Sequence, residues 1–417
     1  MSVHSFVAQF LKENGYLETL RTFEAEYGKV IPLELPHDET LEGILNDRLK
    51  YLAIDAQNEP EFEEVLSKDL KTIKDTQLKP WLAPYPKNRQ DLGPVSELVV
   101  DCAILSRNGA NFALLATSGK SLIVVNLETG KEIARVNSVI GNVVVRRIIV
   151  AENLVFLCGM NGKVTIGKLA EDFENFEVLS ETQIHQRLVT DMKVITFRGK
   201  LHLISIGWDF LVKVHELDGN HQLAPVGVPY KLANQGSCFD AVVYHDKLYV
   251  LVCKKEITLM DVLCLDKHEL ILDCRVALND AEFSASGFTP MSIKIHHQPD
   301  SVPLIAVGTS HEPHMRVIIL LMQNVGQNDK LMILRNQILC NLSTLSPQDK
   351  YSDAQIQWRF DGSGVWIIGD DGVIRGLDLV NKSVVTLHGH EGRIKCVSFF
   401  EDKLVSCGTD RNVIEWT

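Results

Sequence analysis

The sequence predicts an all-β, seven-bladed β-propeller preceded by a small α-helical segment. Three observations carry that prediction. Near residue 90 the chain changes from segments rich in helix formers and charge to short β-branched runs broken by turn residues. Beyond that point the runs recur in units of roughly 40–50 residues, the period of propeller blades. Most units hold four such runs, the strand number of one blade sheet.

Composition bounds the function before any element is placed. The 417-residue chain is 45% hydrophobic and 23% charged, as expected of a globular protein with a sizeable core. No apolar run reaches the ~18 residues of a membrane span. The start MSVHSFVAQFLKENG has neither a basic leader nor an unbroken apolar stretch. A cytoplasmic or nuclear location without membrane insertion is expected. The nine cysteines are scattered singly, with no CxxC and no metal-ligand spacing, and read as reduced, partly buried thiols. A net charge of −12 with no basic stripe argues against direct nucleic-acid binding.

Residues 1–35 read as two short helices. Phe6, Phe10 and Leu11 share one helical face, and Tyr16, Leu20 and Phe23 share another. Asn14-Gly15 between them supplies a left-handed stop. Residues 36–78 continue at helical spacing, with Leu41, Ile44, Leu45, Leu49 and Leu52 and then Phe62, Val65, Leu66, Leu70 and Ile73. Residues 79–94 carry Pro80, Pro84, Pro86 and Pro94 and read as a stiff, extended linker.

Residues 95–417 form the predicted propeller. Its units open on VVDCAILS (99–106), VVVRRIIVA (143–151), VTDMKVITF (189–197), FDAVVYH (239–245), MSIKIHH (291–297), AQIQWRF (354–360) and IKCVSFF (394–400). The seventh unit has only three runs. A strand from around Val95–Val99 is expected to complete it and so remove the open sheet edges. The segment 264–290 is long enough to hide an eighth sheet, and it and 322–336 are expected to add surface loops.

The last unit also carries a motif. Gly389-His390 precede its first strand, Ser406 lies on the second, Asp410 in the next turn and Trp416 on the third. Here the segment resembles the WD-repeat family, with Thr417 in place of the motif's final aspartate. The resemblance implies a structural tetrad of His390, Ser406, Asp410 and Trp416 joined in one hydrogen-bonded chain. The third unit keeps Ser205 and Asp209 but lacks Gly-His, and the sixth keeps only the turn GDDG (369–372).

The N-terminal residues Phe6, Phe10, Leu11, Gly15, Tyr16, Thr19, Leu20, Phe23 and Glu26 resemble the LisH motif. That resemblance implies homodimerisation, with Phe6, Phe10, Leu11, Gly15, Tyr16, Leu20 and Phe23 as the pairing residues. Two short helices do not bury so much aromatic surface alone. A second copy would complete a four-helix bundle; the alternative is packing onto the chain's own following helices.

Catalytic, cofactor and metal signatures are absent from the sequence. Gly119-Lys120-Ser121 ends like a phosphate loop, but Leu114 stands where such a loop needs its first glycine. Proline breaks His311-Glu312-Pro313-His314, Asp370-Asp371 fits a tight turn, and there is no GxSxG. These features predict a non-catalytic interaction scaffold with protein partners. The alternative is a substrate receptor or scaffold subunit of a ubiquitin ligase. The Trp-Asp-x-Arg box common in such receptors is missing, because Trp208-Asp209 is followed by Phe210-Leu211.

Overall fold

The computed structural model describes residues 3–29, 31, 41, 77–81, 86, 88–279, 287–299, 301–322, 325, 332–335, 337–353, 355–401 and 403–417. Apart from Leu41, the expected helical runs between residues 36 and 76 lie outside them. The chain divides into two compact units, Met1–Lys71 and Thr72–Thr417.

In the first unit two helices are described, α1 (Val3–Glu13) and α2 (Leu17–Tyr27). Gly15 takes φ 78°, and the Tyr16 N–H returns to the Leu11 carbonyl at 2.8 Å, which ends α1 as Asn14-Gly15 predicts. Gly28, at φ 71°, ends α2 in the same way, donating to the Glu24 carbonyl.

The described residues of the second unit form seven sheets of four strands or more, the seven blades, antiparallel but for one added strand. Their innermost strands are Val99–Arg107, Val145–Ala151, Val189–Phe197, Gly236–Tyr244, Pro290–His296, Gln355–Trp358 and Ile394–Phe400. Six of the seven begin with a register shift, for example between Val99 and Asp101 and between Val189 and Asp191. A bulge there bends the strand where it turns in toward the axis. The aliphatic core lies between neighbouring blades. One cluster joins Leu114, Val124 and Leu157 of the first two blades, and another joins Val250 of the fourth to Ile204 of the third. The second strands supply most of these layers because they are buried on both faces, so they read as continuous apolar runs.

The ring closes as expected in kind but not in place. The strand that completes the seventh blade is Arg89–Pro94, paired antiparallel with Asn412–Trp416, and not the segment 95–99. Val95 only donates to the Arg411 carbonyl, and Val99 already belongs to the first blade. The expected linker 79–94 therefore contributes to the ring itself. Leu78 and Trp81 are buried as well, and Trp81 sits edge-on to Trp366, 4.8 Å between ring centroids. No eighth sheet occurs among the described residues; Glu269–Ala277 is the outer strand of the fourth blade. The 322–336 insertion does more than loop out: Met332–Leu334, between two strands of the fifth blade, adds a parallel fifth strand to the fourth.

Candidate functional site

The tetrad of the seventh blade forms one continuous chain. Trp416 Nε1 donates to Ser406 Oγ at 2.9 Å, and Ser406 Oγ lies 2.8 Å from His390 Nε2. His390 Nδ1 lies 3.1 Å from Asp410. Only one proton arrangement satisfies every member: Nδ1–H donates to Asp410, and Nε2 accepts from the serine hydroxyl. Burial holds the His390 pKa below its ordinary value, against the opposing pull of Asp410. Burial raises Asp410, but the Glu391 and Asn412 amides and His390 outweigh it and hold the carboxylate down. The turn entering the seventh blade is correspondingly tight. A Cβ on Gly372, at φ 77°, would lie 2.5 Å from the His390 carbonyl.

A second network of this kind was not legible in the sequence. In the third blade His185 Nδ1 lies 2.8 Å from Asp209, and its Nε2 lies 2.9 Å from Ser205 Oγ. The histidine follows Ile184 rather than glycine, and it stands 20 residues before its serine instead of 16. A search for Gly-His at fixed spacing passes over it; histidine–serine–aspartate with a longer first hairpin would have found it. His215 occupies the tryptophan's register, opposite Leu203 as Trp416 is opposite Leu404. Its Nδ1 is buried without a partner, and burial, then Lys213 and His185, pull its pKa down to about 4. The sixth blade substitutes an ion pair, Arg375 with Asp371 at 2.5 Å. The fourth buries Lys254 against Asp261 at 2.5 Å, with Arg275 on the same carboxylate at 3.0 Å.

The predicted pairing residues of the first unit fall into two groups. Leu20 is buried with Ala8 and Ile31, and Leu11 and Phe23 pack against that small core. Phe6 and Phe10 are half-buried, and Gly15 serves the turn. Tyr16 is 55% exposed, and so are its neighbour Leu17 (54%) and Tyr27 (42%), neither of which the sequence reading picked out. The two helices thus satisfy part of their apolar surface and leave a tyrosine–leucine edge in solvent.

Two features of the ring could meet a ligand. The first is a face. Strands alternate direction within each blade, so the turns between second and third strands share a face with the links between blades. Met160, Trp208 and Phe210 lie in such turns of the second and third blades, and Tyr351 lies in the link from the fifth to the sixth. All four are exposed.

The second is the axial cavity, of about 270 Å³, lined by the innermost strands. Arg147 spans it between Asp191 (3.3 Å) and Asp101 (3.5 Å). Asp191, then Asp101, hold the guanidinium firmly charged against the effect of burial. Burial raises the Asp101 pKa more than Arg147 lowers it. Asp101 also accepts from the Ile148 amide at 2.9 Å, and Asp240 from the Ile295 amide at 2.7 Å, so each carboxylate clasps the next blade. This polar lining is not legible in the sequence, because its members come from different repeats. The same applies to thiols: Cys102, Cys396 and Cys407, read as scattered, converge so that their sulfurs lie within 4.8 Å of one another.

Seven closed blades and a separate pair of LisH-like helices define the class, a β-propeller protein with an N-terminal interaction motif. The family is shown directly: residues 63–417 match the family model described as "UCP007778, beta-propeller domain", and residues 1–33 match "UCP007778, LisH domain". The chain belongs to this family. No curated protein matches it.

Proposed function

We propose that the protein is a non-catalytic scaffold of the WD-repeat type, acting in the cytoplasm or nucleus. In this reading it is a dimeric subunit of a multiprotein assembly that offers two propellers to protein partners. The observation that carries it is the exposed Tyr16–Leu17 edge on helices that match the LisH model. A second copy of the same edge would bury what one chain leaves in water. The tetrad supports the WD-type assignment, and the apolar turns Met160, Trp208 and Phe210 support a protein-binding face. Aromatic and methionine side chains are the kind enriched at the centre of protein interfaces. Pairing would double such a face and raise avidity through effective concentration. In the cavity Arg147 is paired with Asp101 and Asp191, and the reading takes recognition rather than bond chemistry as the mechanism.

The test uses the full chain. Equilibrium sedimentation should give twice the 46.7 kDa chain mass. Tyr16→Ser with Leu17→Ser should halve it with an unchanged circular dichroism spectrum. A monomeric wild type would remove the dimeric part of the reading. Gentle purification from the native cells should bring a fixed set of partners, lost in Trp208→Ala with Phe210→Ala. Ligase subunits among those partners would favour the substrate-receptor alternative.

A further inference from the structure

We infer that Cys102, Cys396 and Cys407 form a three-sulfur site for a soft monovalent metal ion, copper(I), at the seam where the ring closes. The three Sγ atoms lie within 4.8 Å of one another, and all three residues are buried. Cys396 and Cys407 face each other on adjacent strands of the seventh blade. Cys102 comes from the innermost strand of the first blade, across the interface between the two blades. Metal–sulfur bonds of about 2.3 Å in a flat trigonal site put the sulfurs about 4 Å apart. An inward shift of a few tenths of an ångström per side chain therefore completes the geometry.

The donor set selects the ion. Thiolates favour copper(I), zinc and iron–sulfur clusters. Zinc in structural sites takes four ligands. Among the described residues no fourth histidine, cysteine or carboxylate donor joins the group. Copper(I) is satisfied by three sulfurs. Access exists, because Cys102 and Cys396 line the axial cavity. The Arg147 guanidinium of the second blade is close enough to interact electrostatically with Cys396, but it is already shared between Asp101 and Asp191 and offsets little of the added charge.

In the metal-free protein the thiols keep their protons. The hydrogen bond with Cys102 and, after an opposing one with Cys407, burial push the Cys396 thiol well above its ordinary range. Loading is then an exchange: one copper(I) ion and three thiols give one tris-thiolate complex and three released protons. No electron is transferred. Affinity should fall steeply as pH falls. A bound ion would tie the first blade to the last, adding to the strand pairing and packing that close the ring.

The full-length reduced protein should be titrated anaerobically with copper(I) against a chromophoric chelator. The expected result is one ion per chain, with X-ray absorption showing three sulfurs at about 2.3 Å. Cys102→Ala, Cys396→Ala and Cys407→Ala should each weaken binding about 100-fold or more, since even supporting groups at such sites are worth 10–100-fold. Cys158→Ala and Cys264→Ala, from other blades, should not change it. Absence of stoichiometric binding, two sulfurs around the metal, zinc displacing copper at equal concentration, or binding indifferent to the three substitutions would each overturn the inference. The absorption spectrum of the wild type decides the matter even if one variant fails to fold.

Discussion

At the scale of single residues, the tetrad shows why a motif can be read in advance and its relatives cannot. Trp416, Ser406, His390 and Asp410 each satisfy the next, and a buried chain of this kind is worth more than its separate bonds. Ser406→Ala would leave the Trp416 N–H and one histidine nitrogen unpaired in the interior. Such a loss should cost about 1–3 kcal/mol of stability, measured by urea unfolding. Tyr351→Ala, on an exposed link, should fall within about 0.5 kcal/mol of wild type. The third blade makes the opposite prediction. His215 has a folded pKa of about 4, below the unfolded value of about 6.5. The unfolded chain therefore binds the proton more readily, and stability rises with pH across that window. It is fully present above about pH 6.5 and is lost as pH falls toward 4, by up to about 3 kcal/mol. His215→Leu also removes an unpaired buried nitrogen. It should be neutral or stabilising at pH 7, and it should flatten the acid limb of the stability–pH curve between pH 6.5 and 4.

At the scale of elements, the closing strand is the telling case. Arg89–Pro94 reads RQDLGP and contains no β-branched residue. Nothing in its composition marks a strand, and the β-rich Val95–Val99 beside it looked the better candidate. Its conformation comes from the partner, since Asn412–Trp416 presents a free row of backbone donors and acceptors. Proline is tolerated at its end because it lies on the sheet edge. A chain beginning at residue 72 should therefore keep a cooperative thermal transition. One beginning at residue 95 should lose it and aggregate through the exposed edge, as light scattering during heating would show. Trp81 adds a second anchor, packed against Trp366 and on Gly364 and Gly376, where a Cβ would meet the indole at 2.2 and 2.6 Å. Trp81→Ala should cost about 3–5 kcal/mol.

At the scale of the whole molecule, the number of blades and the helical start were legible, and the chemistry of the axis was not. Repetition of four-strand units of comparable length predicts seven sheets, because each blade buries its faces only against its neighbours. Helical spacing of Phe6, Phe10 and Leu11, broken at Gly15, predicts α1 and α2 for the same kind of reason. These are local periodicities, written in consecutive residues. Asp101, Arg147 and Asp191, or Cys102, Cys396 and Cys407, meet only because the ring returns on itself. Contacts separated by up to 305 positions (Cys102 to Cys407) leave no periodic trace in the chain. The sequence by itself determined the repeat, the first two helices and one complete tetrad, since each rests on short-range pattern. The tertiary structure alone decided which segment closes the ring, which histidine serves the third blade and what lines the axis, since each depends on which distant strands the closed ring sets side by side.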